Sequence, residues 1–280
     1  MGSGENIAAS GPAKLEARHV RKEFGTGEDK VLAIEDIDFA VEENEFCVIV
    51  GPSGCGKSTF LYLVAGFEKP TAGEILLNGR HIEGPGPDRG FVFQEFALYP
   101  WKTVLGNVSF GLEIQGMEKK EARRRAEEYV KIIGLSGFEN AYPHTLSGGM
   151  KQRVGIARAL AYDPEILLMD EPFGSLDAQT KKLMQTELLR VWAKTRKTVL
   201  YVTHSVVEAT YLADRVIVLT ARPSRVKGIV EVDLPRPRSY TDDEYLGARE
   251  KILGLLDEEV ARAFERETSQ AQRTDEGPAT

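Results

Sequence analysis

The sequence predicts an α/β fold: a mainly parallel sheet flanked by helices, with an antiparallel β subdomain and a helical insert. Three observations predict it. Phe46-Cys47-Val48-Ile49-Val50 is an apolar, β-branched run of the kind buried on both faces. It leads through Gly51-Pro52-Ser53-Gly54-Cys55-Gly56-Lys57-Ser58-Thr59 into a helical run, Phe60 to Ala65. Glu165-Ile166-Leu167-Leu168-Met169-Asp170-Glu171 is a second buried strand, and it delivers two carboxylates at its C-terminal end, where open α/β sheets bind ligands. Residues 95–161 read as helical instead, with an apolar stripe at Ala122, Ala126, Tyr129, Val130 and Ile133.

Taken in order, Met1 to Ala13 are small and polar without an apolar core, which predicts a disordered leader and not a secretory signal. Leu15 to Phe24 is strand-like and ends at the turn Gly25-Thr26-Gly27. Phe24 has an aromatic face that can stack on a purine base. From this segment alone, packing at a strand end is the better reading. Ile37, Phe39 and Val41 alternate with Asp38 and Ala40, a half-buried strand ahead of the phosphate strand.

In the glycine-rich stretch the backbone can curl with its N–H groups inward, and the following helix N-terminus adds positive potential. Lys57 can reach the β- and γ-phosphates of a nucleotide, and the Ser58 hydroxyl can hold Mg²⁺. A turn that merely joins strand to helix is the alternative. A full match to GxxxxGKS between strand and helix leaves it little room, and the chain is expected to bind a nucleoside triphosphate.

Beyond the helix, Lys69 to Gly73 breaks the chain, and Asn78-Gly79 marks a hairpin after Glu74 to Leu77. Gly90 to Phe93 is a short strand ending on Gln94, whose amide oxygen can ligate Mg²⁺ and orient water; taken alone it reads as a surface glutamine. Helices are expected at Val104 to Ile114, Lys119 to Ile133 and Met150 to Ala161, with Arg123-Arg124-Arg125 on a solvated face. Ser147, Gly148 and Gly149 open the last of these. They form either a second anion site or, on generic grounds the better reading, a serine cap. Asp170 suits a Mg²⁺ shell and Glu171 can polarise the attacking water. A helix runs from Asp177 to about Lys194. The strand Thr198 to Thr203 ends on His204, read as a γ-phosphate contact because it follows a strand parallel to the one bearing the acids. Arg215 to Thr220 is a strand, Pro235 to Arg238 a linker, Tyr245 to Phe264 an amphipathic helix, and the polar residues from 266 a disordered tail.

The 280 residues are 42% hydrophobic, enough for a sizeable core, yet no apolar run reaches membrane-spanning length. A net charge of −7 argues against a broad nucleic-acid footprint. Cys47 and Cys55 have neither the number nor the spacing of a disulfide framework or a zinc site, which points to a reducing compartment.

Assembled, these motifs resemble the ATP-binding subunits of ABC transporters from about Leu15 to Arg238. In family order they are GPSGCGKST (Walker A), Gln94 (Q-loop), LSGGM (signature), ILLMDE (Walker B), SLD (D-loop) and His204 (switch). The resemblance implies a P-loop NTPase core at 14–238 with a helical insert at about 95–161, a helical extension at 239–265, and two copies sandwiching two ATP molecules head to tail. Residues 51–59 then cradle the phosphates and Phe24 stacks on adenine. Ser147, Gly148, Gly149 and Asp177 serve the nucleotide across the dimer. Ser58, Gln94 and Asp170 hold Mg²⁺, Glu171 is the general base and His204 the γ-phosphate sensor. Met150 stands where the family usually has Gln, Ser175 where it has Ala, and Ser205 where Asp is common; none removes a proposed ligand or base.

A finer likeness, carried by Leu98-Tyr99-Pro100-Trp101, Asp177-Ala178-Gln179-Thr180 and Ala221-Arg222-Pro223, is to importers of nitrate, sulfonates and taurine; importers of pyrimidine or riboflavin-type nutrients look similar. It implies a peripheral ATPase on the cytoplasmic face of the membrane. Its partners would be a polytopic permease docking near Gln94–Trp101 and a separate solute-binding protein, with no nucleic acid. Trp101 packed inside the insert is the competing reading. A soluble relative acting on nucleic acid or ribosomes fits less well, since the chain has one Walker A loop, no heptad stretch and an acidic balance. A nucleotide-gated scaffold without chemistry is opposed by the presence of Lys57, Glu171 and His204.

Overall fold

The computed structural model describes residues 13–275, with side chains through Phe264 except that of Glu28. The expected leader lies almost wholly outside them. In chain order the strands and helices begin with β1 (Ala13–Phe24), β2 (Val31–Glu42), β3 (Phe46–Val50), α1 (Lys57–Ala65), β4 (Ala72–Leu77), β5 (Arg80–His81) and β6 (Arg89–Val92). There follow α2 (Val104–Ile114), α3 (Lys119–Ile132), α4 (Gly148–Ala161), β7 (Ile166–Asp170), α5 (Ala178–Thr195) and β8 (Thr198–Thr203). The chain ends with α6 (Val206–Leu212), β9 (Arg215–Leu219), β10 (Ser224–Glu231) and α7 (Asp243–Asp275). The described residues form two compact units, one of 13–84 together with 202–275, the other Pro85–Tyr201.

In the first unit the strand order is β5-β4-β1-β2-β10-β9-β3. The outer strands β5, β4, β1 and β2 pair antiparallel, and β9 and β3 run parallel. Between β4 and β5 the turn residues Asn78 and Gly79 sit at φ 49° and 69°, the left-handed pair that a two-residue type I′ hairpin needs. On β2 the alternation is kept: Ile37, Phe39 and Val41 are buried while Asp38 is half-exposed. Every residue of β3 is buried, as its unbroken apolar run requires, each large side chain contributing about 1.5–3 kcal/mol. Its first residue is tied from both sides of the peptide, since Phe46 N–H donates to Asp214 Oδ2 (2.9 Å) and Asp214 N–H donates to the Phe46 carbonyl (2.8 Å). Beside it the buried Arg215 guanidinium grips Glu45 with two 2.8 Å bonds and reaches the Ala40 carbonyl.

Two elements of this unit differ from the sequence-based expectation. Residues 224–231 form β10, whose charged residues and Gly228 break any strand alternation, and residues 206–212 form α6, too short a helix to show its period. The Pro235–Arg238 stretch, expected to be a linker, is stapled down. Arg236 pairs with Asp214 and donates to the Leu212 carbonyl. Arg238 is buried and donates to the carbonyls of Thr210 (2.7 Å), Ala213 (2.6 Å) and Val232 (2.9 Å), with longer bonds to Tyr211 and Leu234. Burial pushes its pKa down to about 10, which leaves it charged at neutral pH. Helix α7 extends beyond the expected Phe264, its backbone continuing to Asp275, and buries Tyr245, Ile252, Leu256 and Glu259.

In the second unit the order is β8-β7-β6, with β6 parallel to β7. Helices α2, α3 and α4 pack together in the stretch read as a helical insert. Helix α4 starts two residues before the expected Met150, because Ser147 caps it.

The Arg238 cluster generates a prediction. Arg238→Met keeps the stem but orphans several buried carbonyls at about 1–3 kcal/mol each, so a loss of at least about 3 kcal/mol is expected. Urea unfolding at neutral pH measures it. Arg238→Lys, with one ammonium in place of a planar fork, should recover only part.

Candidate nucleotide site

The phosphate loop lies wholly within the first unit. Gly51, Pro52 and Cys55 are buried, while Ser53 and Gly54 are exposed. Gly54 and Gly56 take φ of 69° and 109°, and Gly56 is the residue before the first turn of α1. A side chain at Gly56 would also meet Ser224 Oγ at 3.1 Å and the Ala33 carbonyl at 3.3 Å, so glycine is required twice over. No acidic residue sits in the first turn of α1, so the positive end of the helix is not quenched. Lys57 is buried and folded back, its ammonium donating to the carbonyls of Gly51 and Pro52 at 2.9 Å each. Those two bonds hold the loop curled around its lysine; sequence reasoning missed them, since they depend on the three-dimensional path of the loop.

Phe24, at the end of β1, is 38% exposed, with the Lys22 ammonium 4.8 Å from its ring centroid. Packing at the strand end does not cover it, and an aromatic surface is left open. His204 is exposed directly after β8. The turn around it is framed by Thr203 Oγ1, which donates to Glu208 and accepts from Ser205 N–H (3.1 Å). Ser205, the departure from the commoner Asp, caps α6 by accepting the Glu208 N–H at 3.3 Å, a task either residue performs.

In the second unit β7 is buried throughout and ends on the buried Asp170. Glu171 follows at φ 41°, a left-handed conformation that turns the chain sharply, and its carbonyl accepts the Gly174 N–H at 2.9 Å. Two predicted residues converge above that turn. Gln94 Nε2 and Glu171 Oε2 lie 3.5 Å and 3.8 Å from where a Cβ on Gly174 would stand. Asp177 caps α5, accepting from Gln179 N–H (3.1 Å) and Thr180 N–H (3.0 Å), and these bonds hold its carboxyl below the usual range. Ser147 caps α4 through the Met150 N–H at 3.3 Å and is otherwise exposed, the generic role foreseen for it. The Cβ position at Gly148 is 3.2 Å from Leu176, and that at Gly149 is 3.3 Å from Thr180. The start of α4 and the start of α5 therefore sit together.

Residues 94–98 and Pro100 face Pro143, His144 and Lys151 across a groove of about 760 Å³. Trp101 is 72% exposed at this end of the unit, so the reading that packs it inside the insert is set aside. Tyr99 anchors the segment, edge-on to Phe110 at 4.7 Å and 5.8 Å from the Trp101 ring. The fully buried Asn107 accepts the Tyr99 N–H (2.8 Å) and donates to the carbonyls of Tyr99, Lys102 and Thr103. Sequence reasoning missed Asn107; a lone amide among Val104, Leu105, Val108 and Leu112 was the available signal.

A family model described as ABC transporter matches residues 34–174. An uncharacterised ABC transporter ATP-binding protein of Methanocaldococcus jannaschii is 55% identical over 251 residues, 90% of this chain and 94% of that protein. The nitrate import ATP-binding protein of Synechocystis is 47% identical over 86% of this chain and 94% of its own length. The aliphatic sulfonates import ATP-binding protein of Bacillus licheniformis is 45% identical over 85% and 92%. Among solved structures, a dimeric ATP-binding cassette in a post-hydrolysis state with ADP and Pi superposes with a TM-score of 0.68 at 34% identity, covering 79% of this chain and all of that one. The chain belongs to the ABC transporter family, among its ATP-binding proteins.

Proposed function

We propose that this chain is the ATP-hydrolysing subunit of an importer for a small solute of the nitrate, sulfonate or taurine kind. The observation that carries the reading is the phosphate loop, curled by its glycines around Lys57 at the open end of α1. Residues 51–59 cradle the phosphates of ATP and the open face of Phe24 receives the base. Ser58, Gln94 and Asp170 offer hydroxyl, amide and carboxylate oxygens, the hard donors that Mg²⁺ takes, and the metal would neutralise charge on the phosphates. Glu171 accepts the proton of the attacking water, Gln94 orients that water, and His204 contacts the γ-phosphate.

Two copies close around ATP, with Ser147, Gly148, Gly149 and Asp177 of each serving the nucleotide of the other. The dimeric cassette among the similar structures supports this. The names of the sulfonate and nitrate import relatives support the transport role and the solute class. No helix among the described residues is long and apolar enough to cross a membrane. In this reading a separate permease carries the solute path, as the names of the import relatives support. It docks at the groove beside Trp101, where an exposed aromatic backed by a rigid segment is the kind of anchor interfaces favour. A solute-binding protein completes the system, and the ATPase works as a peripheral protein on the cytoplasmic face.

Three outcomes follow from these roles. Glu171→Gln keeps shape and removes the base, so ATP should still bind while turnover falls by roughly 10²–10⁴-fold in a phosphate-release assay. Activity within a few-fold of wild type would remove Glu171 from the chemistry.

Ser147→Arg puts a bulky cation at the start of α4. Binding of ATP to the isolated chain should persist, but hydrolysis should be lost, and size-exclusion chromatography with ATP should show monomer where wild type is expected to dimerise. Full activity from a strictly monomeric chain would sink the two-copy reading.

Trp101→Glu alters a side chain that is already mostly in water, so the melting midpoint should stay within a few degrees of wild type. Copurification with the permease should drop sharply. Undiminished assembly and transport would end the docking assignment.

A further inference from the structure

We propose that Glu259, on the C-terminal helix α7, is a positioning residue for the phosphate loop, acting through the turn at residues 219–224. The starting observation is a misfit in pattern. Tyr245, Ile252, Leu256 and Glu259 share one buried stripe of α7, and Glu259 is only 1% exposed. An apolar residue would complete that stripe at lower cost; a buried carboxylate there needs partners and a reason.

Its partners lie on the turn and around it. Glu259 Oε2 accepts the Ala221 N–H at 2.9 Å, and Oε1 accepts from Lys227 and Arg262 at 3.1 Å each. The turn that carries Ala221 is itself closed. Thr220 N–H donates to the Arg225 carbonyl (3.0 Å), Arg225 N–H donates to Thr220 Oγ1 (2.9 Å), and that hydroxyl donates to the Ala221 and Pro223 carbonyls. These bonds tie the two ends of the turn to each other.

Both ends of this turn bear on the glycines that shape the phosphate loop. The Leu219 carbonyl lies 3.3 Å from the Cβ position of Gly51, and Ser224 Oγ lies 3.1 Å from that of Gly56. Ser224 is fully buried, and its hydroxyl donates to the Ala33 carbonyl at 3.3 Å. Helix α7 is seated on β10, with Leu255 Cδ1 3.0 Å from the Cβ position of Gly228. A continuous set of contacts therefore runs from α7 through one hydrogen bond to the walls of the loop that Lys57 holds curled. The helical extension, which none of the nucleotide motifs includes, sets how well that loop is preformed for phosphate.

The inference rests on the phosphate loop being the ATP site, and the test separates the two. Fluorescent-ATP titration of the full-length chain, well below its melting midpoint, compares wild type, Glu259→Leu and Glu259→Gln. Glu259→Leu completes the apolar stripe but removes the acceptor of the Ala221 N–H. It should weaken ATP binding about tenfold, in the usual range of coupling between sites, with KM for ATP raised and kcat nearly unchanged. Glu259→Gln keeps an acceptor oxygen and should stay within about threefold of wild type by the same reasoning. A merely structural role would lower the melting midpoint of Glu259→Leu and leave affinity alone, and that result would overturn the proposal.

Coupling is reciprocal, so the wild-type chain gives a second reading that no folding failure can spoil. Saturating ATP should slow amide exchange at Ala221 and along residues 254–262 as well as in the phosphate loop. Protection confined to the phosphate loop would also overturn the proposal. A wild-type chain that binds no ATP would overturn the site assignment itself, and this inference with it.

Discussion

The phosphate loop can work only if its backbone N–H groups point inward at a charge that is absent from the chain itself. Everything around it serves that constraint. A loop so curved needs left-handed residues, supplied at Gly54 and Gly56, and walls close enough to forbid a side chain, supplied by Ser224 and Ala33. It also needs something positive at its centre. Lys57, turned onto the Gly51 and Pro52 carbonyls, supplies it with two charge-assisted bonds. The strand that feeds the loop is held at its start by Asp214 and, one residue earlier, by the Arg215–Glu45 pair. Preorganisation of this kind spares a ligand the cost of ordering the loop.

The second unit meets a different demand, which is to present side chains at the ends of buried elements. Glu171 stands in a left-handed conformation just beyond a fully buried strand, and such strain persists only where surrounding structure over-determines it. Here the neighbours are Phe173, fully buried, and the Gly174 N–H on the Glu171 carbonyl. The segment after Gln94 shows the same economy. Asn107 spends all its amide capacity on Tyr99–Thr103 backbone, and Arg158 donates to the carbonyl of Ala97, another left-handed residue. Loops that carry function are made rigid by one or two buried polar groups from a helix beneath them.

Departures from the family pattern are absorbed locally. Ser205 still caps α6 and Met150 still donates its N–H to the Ser147 cap, since backbone and cap chemistry make both bonds. The buried arginine at 238 and the buried glutamate at 259 belong to the same class of device. Each is a buried charged side chain that satisfies backbone groups of a distant segment, Arg238 the carbonyls of Thr210 and Ala213 and Glu259 the Ala221 N–H.

What the sequence determined by itself was what is encoded within a few residues. The β3–loop–α1 unit, the Asn78-Gly79 hairpin, the acids ending β7 and the boundaries of α2 were legible because glycine placement, turn chemistry and periodicity are local signals. So was the motif order that carries family membership. Tertiary structure decided the rest, because periodicity tells which face of an element is apolar and not how deep it sits or what lies across from it. Trp101 and Trp192 are the same residue type on helical neighbourhoods, yet one is 72% exposed and the other 6%. The convergence of Gln94 with Glu171, 77 positions apart in number, and the reach of Glu259 to Ala221 across 38 residues depend on chain packing that no local pattern records. Helix α6 has only seven residues, too few for helical propensity to declare it, and β10 mixes charged residues and Gly228 into its run, so neither carries a clean period.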